Sequence, residues 1–268
     1  MNFTSEQIER YSRHILLQDV GLEGQEKIGD SKVLVIGVGG LGAPVLFYLA
    51  AAGIGTLGII DREVVDLSNL QRQIIHFASD VGKIKVQSAK EKIKQINPSV
   101  KVVTYQESFN VNNAFDVIKD YDFIVDGTDN FPTKFLINDA CVLAGKPFSH
   151  GGILQFEGQT LTYLPGTMCY RCVFHSPPPS NSIPTCSQAG VLGTIAGILG
   201  TIQATEVLKF LIGTGELLTN RLLTFNAKSM IFRTIKINKN RECLICGSYP
   251  SITNLAESER IVCELENK

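Results

Sequence analysis

Val33-Leu34-Val35-Ile36-Gly37-Val38-Gly39-Gly40-Leu41-Gly42 is the stretch on which the fold turns. A short aliphatic, largely β-branched run enters a glycine cluster, and Leu41 to Ala52 then has helical composition with Pro44 tolerated in the first turn. That is the opening of a strand–loop–helix unit. Gly37, Gly39 and Gly42 fit G-x-G-x-x-G, a spacing that lets backbone N–H groups and a helix N-terminus approach phosphate closely. Gly40 adds a further residue without a side chain. The motif is compatible with NAD or ATP, and also with a merely tight strand-to-helix turn.

Working outward, Leu57 to Ile60 supplies the next strand and ends on Asp61, 19 residues after Gly42, where a carboxylate can accept from ribose hydroxyls. Lys83 to Gln95 has helical spacing, with Ile84, Ile93 and Ile96 as apolar contacts, and Asn97-Pro98 stops it. Val100 to Tyr105 is β-like and Val111 to Lys119 helix-like. Phe123-Ile124-Val125 is a buried-strand run that delivers Asp126-Gly127-Thr128-Asp129, and Pro132 to Ala144 looks helical. Strands alternating with helices in this way predict an α/β fold with a doubly wound, mostly parallel, Rossmann-like sheet, whose ligand crevice lies beyond the carboxyl ends of the strands. Asp61 and Asp129 both fall at that edge. After Pro147 the pattern changes: Gly158 to Leu164 is a strand, Ser176 to Pro184 is rich in Pro and Ser, Val191 to Ile212 is a helix, and Leu222–Phe225 with Met230–Ile237 makes an antiparallel pair.

Composition narrows the function classes. The 268 residues, 44% of them apolar, are enough for one large domain with a sizeable core. Lys plus Arg number 25 against 26 Asp plus Glu, a net charge of −1 with no long run of one sign, which argues against a nucleic-acid partner. A membrane is equally unsupported: the N-terminus does not read as a secretory signal, and the most apolar stretch, Ala189 to Ile202, is shorter than a span. The expected location is the cytoplasm.

Charged groups cluster after the second strand: Asp66-Leu67-Ser68-Asn69-Leu70-Gln71-Arg72-Gln73, then Lys85, then Asp129-Asn130. These types suit attack of a carboxylate on the α-phosphate of ATP, where Arg72 and Lys85 neutralise phosphate charge, Asn69 orients an oxygen and Asp129 holds Mg²⁺. Each also has a plain explanation. Lys85, among Lys83, Lys90, Lys92 and Lys94, reads as a solvated helix charge, and Asp129 as a cap for the helix that follows. A dehydrogenase would instead need a hydride-transfer site with an acid or base beside the nicotinamide.

Seven cysteines are an odd number for a disulfide framework. Cys169-x-x-Cys172 and Cys243-x-x-Cys246 form two hooks separated by 70 residues, a pattern for a closed, structural, tetrahedral Zn²⁺ site. A redox dithiol, unrelated buried thiols or an iron–sulfur cluster would use the same residues. Cys186 stands between a Pro-rich loop and a helix, either as a nucleophile and persulfide acceptor or as a packed thiol. Cys141 and Cys263 look non-catalytic, and the four histidines form no ligand pattern.

The assembled residues resemble the E1-like ThiF/MoeB/HesA family of sulfur-carrier adenylyltransferases. The likeness runs in the family's order through Arg10-Tyr11-Ser12-Arg13, the glycine loop, Ser68 to Gln73, Thr128-Asp129-Asn130, Glu157-Gly158-Gln159, Cys169-Tyr170-Arg171-Cys172, Thr185-Cys186 and the last hook, roughly residues 5 to 247. It implies ATP contacts from the Gly37, Gly39, Gly40 and Gly42 loop, Asp61, Ser68, Asn69, Leu70, Gln71, Arg72, Lys85, Asp129 and Asn130. It also implies a homodimer in which Arg13 reaches the partner's ATP, and zinc on Cys169, Cys172, Cys243 and Cys246. The implied substrate is the terminal glycine of a ubiquitin-like carrier ending in Gly-Gly, activated as an acyl-adenylate for molybdopterin or thiamine biosynthesis. With no rhodanese-like extension before Lys268, sulfur is expected from a separate donor. The implied layout is one adenylation domain over 1–247: a helical arm (1–30), a nucleotide half (31–150) and a carrier and zinc half (151–247), with a tail at 248–268.

Overall fold

Alternation along the strands decides which helices cover which face. The computed structural model describes residues 3–179 and 186–255, with Cys186 and Ser187 described by backbone alone. Two helices, α1 (Ser5–Ile15) and α2 (Gly21–Asp30), precede β1 (Lys32–Ile36), α3 (Gly42–Ala52) and β2 (Thr56–Ile60). Then come α4 (Lys85–Ile96), β3 (Lys101–Tyr105), α5 (Ala114–Ile118), β4 (Phe123–Asp126) and α6 (Phe131–Ala144). The second half holds β5 (Phe148–Leu154), β6 (Glu157–Tyr163), α7 (Tyr170–Val173), α8 (Cys186–Ala189), α9 (Gly193–Ile212), β7 (Arg221–Asn226) and β8 (Ile231–Lys236).

All strands join one sheet in the order β3-β2-β1-β4-β5-β6-β7-β8. The first five are parallel, and β6, β7 and β8 continue antiparallel from β5. Leu34, Ile36 and Ile124 face a core built with α5, α6 and the cysteine hooks. Val33, Val35, Phe123 and Val125 face the opposite core, built with α3, α4 and α9. Both faces are therefore covered, as a parallel sheet requires.

The structure adds a strand that the sequence reading lacks, shortens one expected helix and agrees on the long helix of the C-terminal half. Phe148–Leu154 is a central strand, though Ser149, His150, Gly151 and Gly152 break any apolar run; the two glycines make room, since a Cβ on Gly151 would lie 2.6 Å from Gln203 Oε1. The helix expected over Val111–Lys119 is shorter, because Asn110 and Asn113 bond to each other and to Ser108 and hold the preceding residues in a turn. The helix expected over Val191 to Ile212 is α9, and its 20 residues, unlike the shorter stretch Ala189 to Ile202, are long and apolar enough to cross a membrane. It lies instead against α3, α2 and β5, with Gln203 and Glu206 buried on its sheet side. There Glu206 Oε2 accepts from the Thr162 hydroxyl at 2.7 Å and the Leu218 N–H at 2.6 Å.

The parallel strands β1, β2 and β4 end together, so Gly37, Asp61 and Gly127 emerge at one edge. The N-terminal arm docks at the opposite edge. Tyr11 packs its ring on Gly53, the left-handed residue that ends α3, and accepts from Asn97 Nδ2 through its hydroxyl. The five residues of β1 separate the two edges by about 16 Å.

Candidate functional site

The loop between β1 and α3 is held by contacts that only glycine permits. Gly37 has φ +91° and a Cβ there would meet the Gly127 carbonyl at 2.9 Å; one on Gly42 would sit 2.0 Å from the Gly37 carbonyl oxygen. Gly39 is different. Its nearest neighbour to a Cβ would be Gln73 Nε2 at 3.7 Å, so protein packing alone does not demand glycine there. Leu41 precedes α3 without a side-chain cap, and the N–H groups of Gly39, Gly40 and Leu41 find no acceptor among the described residues. Three backbone donors at a helix N-terminus are the elements of an anion site.

Asp61 closes the loop from β2. Its Oδ2 accepts from the Val38 N–H and its Oδ1 from the Glu63 N–H, each at 2.8 Å. The next segment forms a tight turn, Leu67–Asn69, capped by Asp66, whose Oδ1 accepts from the N–H and hydroxyl of Ser68. Asn69 returns the bond by accepting from the Asp66 N–H at 3.2 Å. Arg72 donates to the Ser68 carbonyl at 3.0 Å and lays its stem 3.5 Å from where a Gly40 Cβ would be. Gln71 and Arg72 also pack on Gly193, so α9 begins directly over this turn. Leu70 is half-buried beside them.

Lys85 is not a solvated helix charge. At the first turn of α4 its side chain is 3% exposed and pairs with Glu63 Oε2 at 2.5 Å. A depression of about 520 Å³, lined by Arg62, Glu63, Val64, Asp66 and Asn69, opens beside this pair. Asp129 is not the helix cap either: Asn130 takes that role, accepting from the Thr133 N–H at 3.0 Å, and leaves Asp129 exposed at the end of β4.

Beneath Asp129 lies a buried cluster that sequence reading missed. Asp126 Oδ1 accepts from the Thr128 N–H (3.0 Å) and hydroxyl (2.6 Å), which shapes the turn carrying Asp129. Its Oδ2 accepts from Lys134 Nζ at 3.0 Å and from His150 Nδ1 at 2.9 Å. Burial acts to raise this carboxyl, but Lys134 first, then His150 and Thr128, hold it at about 2. Burial and the Lys134 charge push His150 down, so its ring is neutral at pH 7. The signal available in the sequence was Lys134, Asn138 and Asp139 within an otherwise apolar helix. Asn138 accepts from the Tyr170 N–H, and Asp139 takes both arms of Arg171 at 2.7 Å. The first cysteine hook is thus seated on the helix that begins at the Asp129 loop.

The hooks meet. The Sγ atoms of Cys169, Cys172, Cys243 and Cys246 lie within 4.8 Å of one another, with Cys169–Cys243 at 3.6 Å, Cys172–Cys246 at 3.4 Å and Cys169–Cys172 at 4.0 Å. Four thiolates at about 2.3 Å from a tetrahedral Zn²⁺ would stand about 3.8 Å apart, so the four sulfurs are spaced for a metal. Hydrogen bonds from the neighbouring thiols, Cys169 foremost, hold Cys243 far below the ordinary thiol value. Cys141 is separate and buried in α6. Cys186 opens α8 beside β5, and its side chain lies outside the described residues, as does Cys263.

The ThiF family model matches residues 11–245. The chain belongs to the ThiF family. Among its relatives, this ThiF-family chain is 42% identical to the "Sulfur carrier protein adenylyltransferase" of Thermus thermophilus, over 97% of this chain and 98% of the relative. It is 46% identical to the "Probable adenylyltransferase/sulfurtransferase MoeZ" of Mycobacterium tuberculosis over 95% of this chain, and spans 65% of that relative's length. Among solved structures, E. coli MccB with ATP superposes with a TM-score of 0.76 at 26% identity, over 89% of this chain and 74% of that one. The oxidoreductase alternative finds no support in this family. Arg13 is exposed on α1 at the far edge of the sheet, so a single ThiF-family chain does not bring it to its own glycine loop.

Proposed function

We propose that this chain uses ATP to adenylylate the C-terminal glycine carboxylate of a ubiquitin-like sulfur carrier, releasing pyrophosphate. The observation that carries the reading is the loop at the helix N-terminus, with free N–H groups at Gly39, Gly40 and Leu41, which meets Arg72 at Gly40 and, at Gly37, the Gly127–Thr128 turn that leads to Asp129. ATP use and a sulfur-carrier substrate also accord with the Thermus relative's name.

The loop N–H groups receive phosphate oxygens, and Asp61, fixed by Val38 and Glu63, keeps lone pairs for ribose hydroxyls. Ser68 to Gln71 frame the turn that positions Arg72. Arg72 and Lys85 supply positive charge as the carboxylate oxygen attacks the α-phosphorus and pyrophosphate leaves, so that two anions can approach. Swinging Lys85 from the exposed Glu63 carboxylate toward phosphate exchanges one charge partner for another. Asn69, with Oδ1 engaged by Asp66, presents its amide Nδ2 as a donor to a substrate oxygen. The exposed Asp129 carboxylate, beside Asn130, has the hard oxygen donors that Mg²⁺ takes, and the ion when bound neutralises charge on the departing pyrophosphate.

The four hook cysteines hold structural Zn²⁺ in this reading, consistent with their spacing, and reduced thiolates accord with the cytoplasm. A homodimer supplies Arg13 from the partner, consistent with that residue's distance from its own loop. The carrier ends in Gly-Gly, and a separate protein persulfide provides sulfur, handing its outer sulfur to the Cys186 thiolate, which becomes the persulfide while the donor leaves as a thiol. Residues 31–150 serve the nucleotide and 151–247 the carrier and the metal, with 1–30 as an arm and 248–268 as a tail.

The test is ATP–pyrophosphate exchange with a Gly-Gly carrier in wild type and Asp129→Ala. Loss of a hundredfold or more is expected if Asp129 serves the reacting phosphates (about 3 kcal/mol); exchange undiminished in the variant overturns that assignment.

A further inference from the structure

His76 is buried, 3% exposed, and lies four residues beyond Arg72. Its Nε2 stands 3.1 Å from the Val38 carbonyl oxygen and its Nδ1 2.8 Å from Ser88 Oγ on α4. A carbonyl only accepts, so Nε2 carries the proton. Burial pushes the ring below its ordinary value, and Lys85 nearby acts in the same direction. The ring is therefore neutral at pH 7, Nδ1 is an acceptor, and the Ser88 hydroxyl donates to it.

Val38 is thus clamped on both sides. Asp61 accepts from its N–H and fixes the Gly37–Val38 peptide, while His76 donates to its C=O and fixes the Val38–Gly39 peptide. In a trans peptide the C=O and the following N–H point in opposite directions. Holding the Val38 carbonyl toward His76 therefore turns the Gly39 N–H the other way. A peptide next to glycine flips at little steric cost, and a flipped Val38–Gly39 unit would present a carbonyl oxygen to phosphate in place of an N–H.

We infer that His76, set in its Nε2–H tautomer by Ser88, is a positioning residue that keeps the Gly39 N–H available to the phosphates of ATP. The inference rests on the nucleotide reading of the loop, and asks which residue outside the loop decides its polarity. Serving through backbone orientation, His76 matters for phosphate and not for the nucleoside.

Two measurements test it. Long-range ¹H–¹⁵N spectra of wild-type protein at pH 7 report the ring state directly: an Nε2–H neutral imidazole is expected, and an Nδ1–H tautomer or an imidazolium overturns the inference. Dissociation constants for ATP and adenosine are then compared in wild type, His76→Leu, His76→Gln and Ser88→Ala. In His76→Leu the constant for ATP should rise about tenfold, the scale of one hydrogen bond to a charged group, while that for adenosine changes less than about twofold. His76→Gln, which retains an N–H donor, should recover part of the loss. Equal weakening for both ligands, or unchanged ATP binding in His76→Leu, overturns the positioning role. Wild-type protein that binds no ATP would instead defeat the nucleotide reading itself. A His76→Leu variant that does not fold leaves the wild-type tautomer and Ser88→Ala, where an ATP-selective loss is expected and none overturns it.

Discussion

Replacing Asp126 by Asn changes one atom in a buried cluster and should be felt in both stability and its pH dependence. The carboxyl is held at about 2 against an ordinary 3.8, which corresponds to roughly 2 kcal/mol in favour of the folded state at neutral pH. Because the folded value is the lower one, that stabilisation is complete above 3.8 and is lost as pH falls toward 2; about half is gone by pH 3. In Asp126→Asn it is absent throughout, and Lys134, which also donates to the Gly151 carbonyl at 2.5 Å, loses its charge partner. We expect the variant to be less stable by about 3 kcal/mol at pH 7, the range for stranding one member of a buried ion pair. The gap should narrow by about 1 kcal/mol on going to pH 3. Both proteins carry the same cysteines, so acid release of any metal largely cancels in the difference. Urea unfolding of the two proteins at pH 7, 5, 4 and 3 measures the gap. A gap that stays constant across this range, or no loss at pH 7, would refute the account of the cluster.

Two further expectations concern the loop and the hooks. Gly39→Ala should fold with stability within about 1 kcal/mol of wild type, since its Cβ meets only Gln73 Nε2 at 3.7 Å, yet bind ATP weakly; Gly42→Ala, aimed 2.0 Å from the Gly37 carbonyl, should fail in thermal melts before binding is at issue. Metal analysis of freshly purified protein should find about one zinc per chain, and a chelator should lower the melting temperature of wild type while leaving Cys243→Ser, already destabilised, without metal to lose. Full folding with no metal would count against the zinc assignment.

The strands with aliphatic runs, β1, β2 and β4, are legible because burial on both faces of a sheet leaves a local mark. β5 is not. Its Ser149, His150 and glycines reflect partners on other elements, Asp126 on β4 and Gln203 on α9, and no window of the chain contains them all. The same reasoning divides the site. The glycine loop, the Ser68–Arg72 turn and the paired hooks depend on spacing and could be read. The burial of Lys85 depends on Glu63 and the turn it grips, and among five lysines on one segment nothing local distinguished it. Asn130, rather than Asp129, caps α6 because its side chain is the one three residues before the Thr133 N–H; from sequence the two adjacent residues were equivalent candidates. His76 was passed over as one histidine of four, since its role comes from Val38 and Ser88, 38 and 12 residues away.

The central claim is that a carrier carboxylate is joined to the α-phosphate of ATP. The most direct measurement is ATP–pyrophosphate exchange with Mg²⁺, using a ubiquitin-like carrier with its free Gly-Gly terminus and the same carrier with that terminus blocked as an amide. Exchange that requires the free carboxylate, with an adenylate mass added to the carrier at its last residue, is the predicted result. Exchange of equal rate with the blocked carrier, or none with any carrier while ATP is bound, would contradict the account.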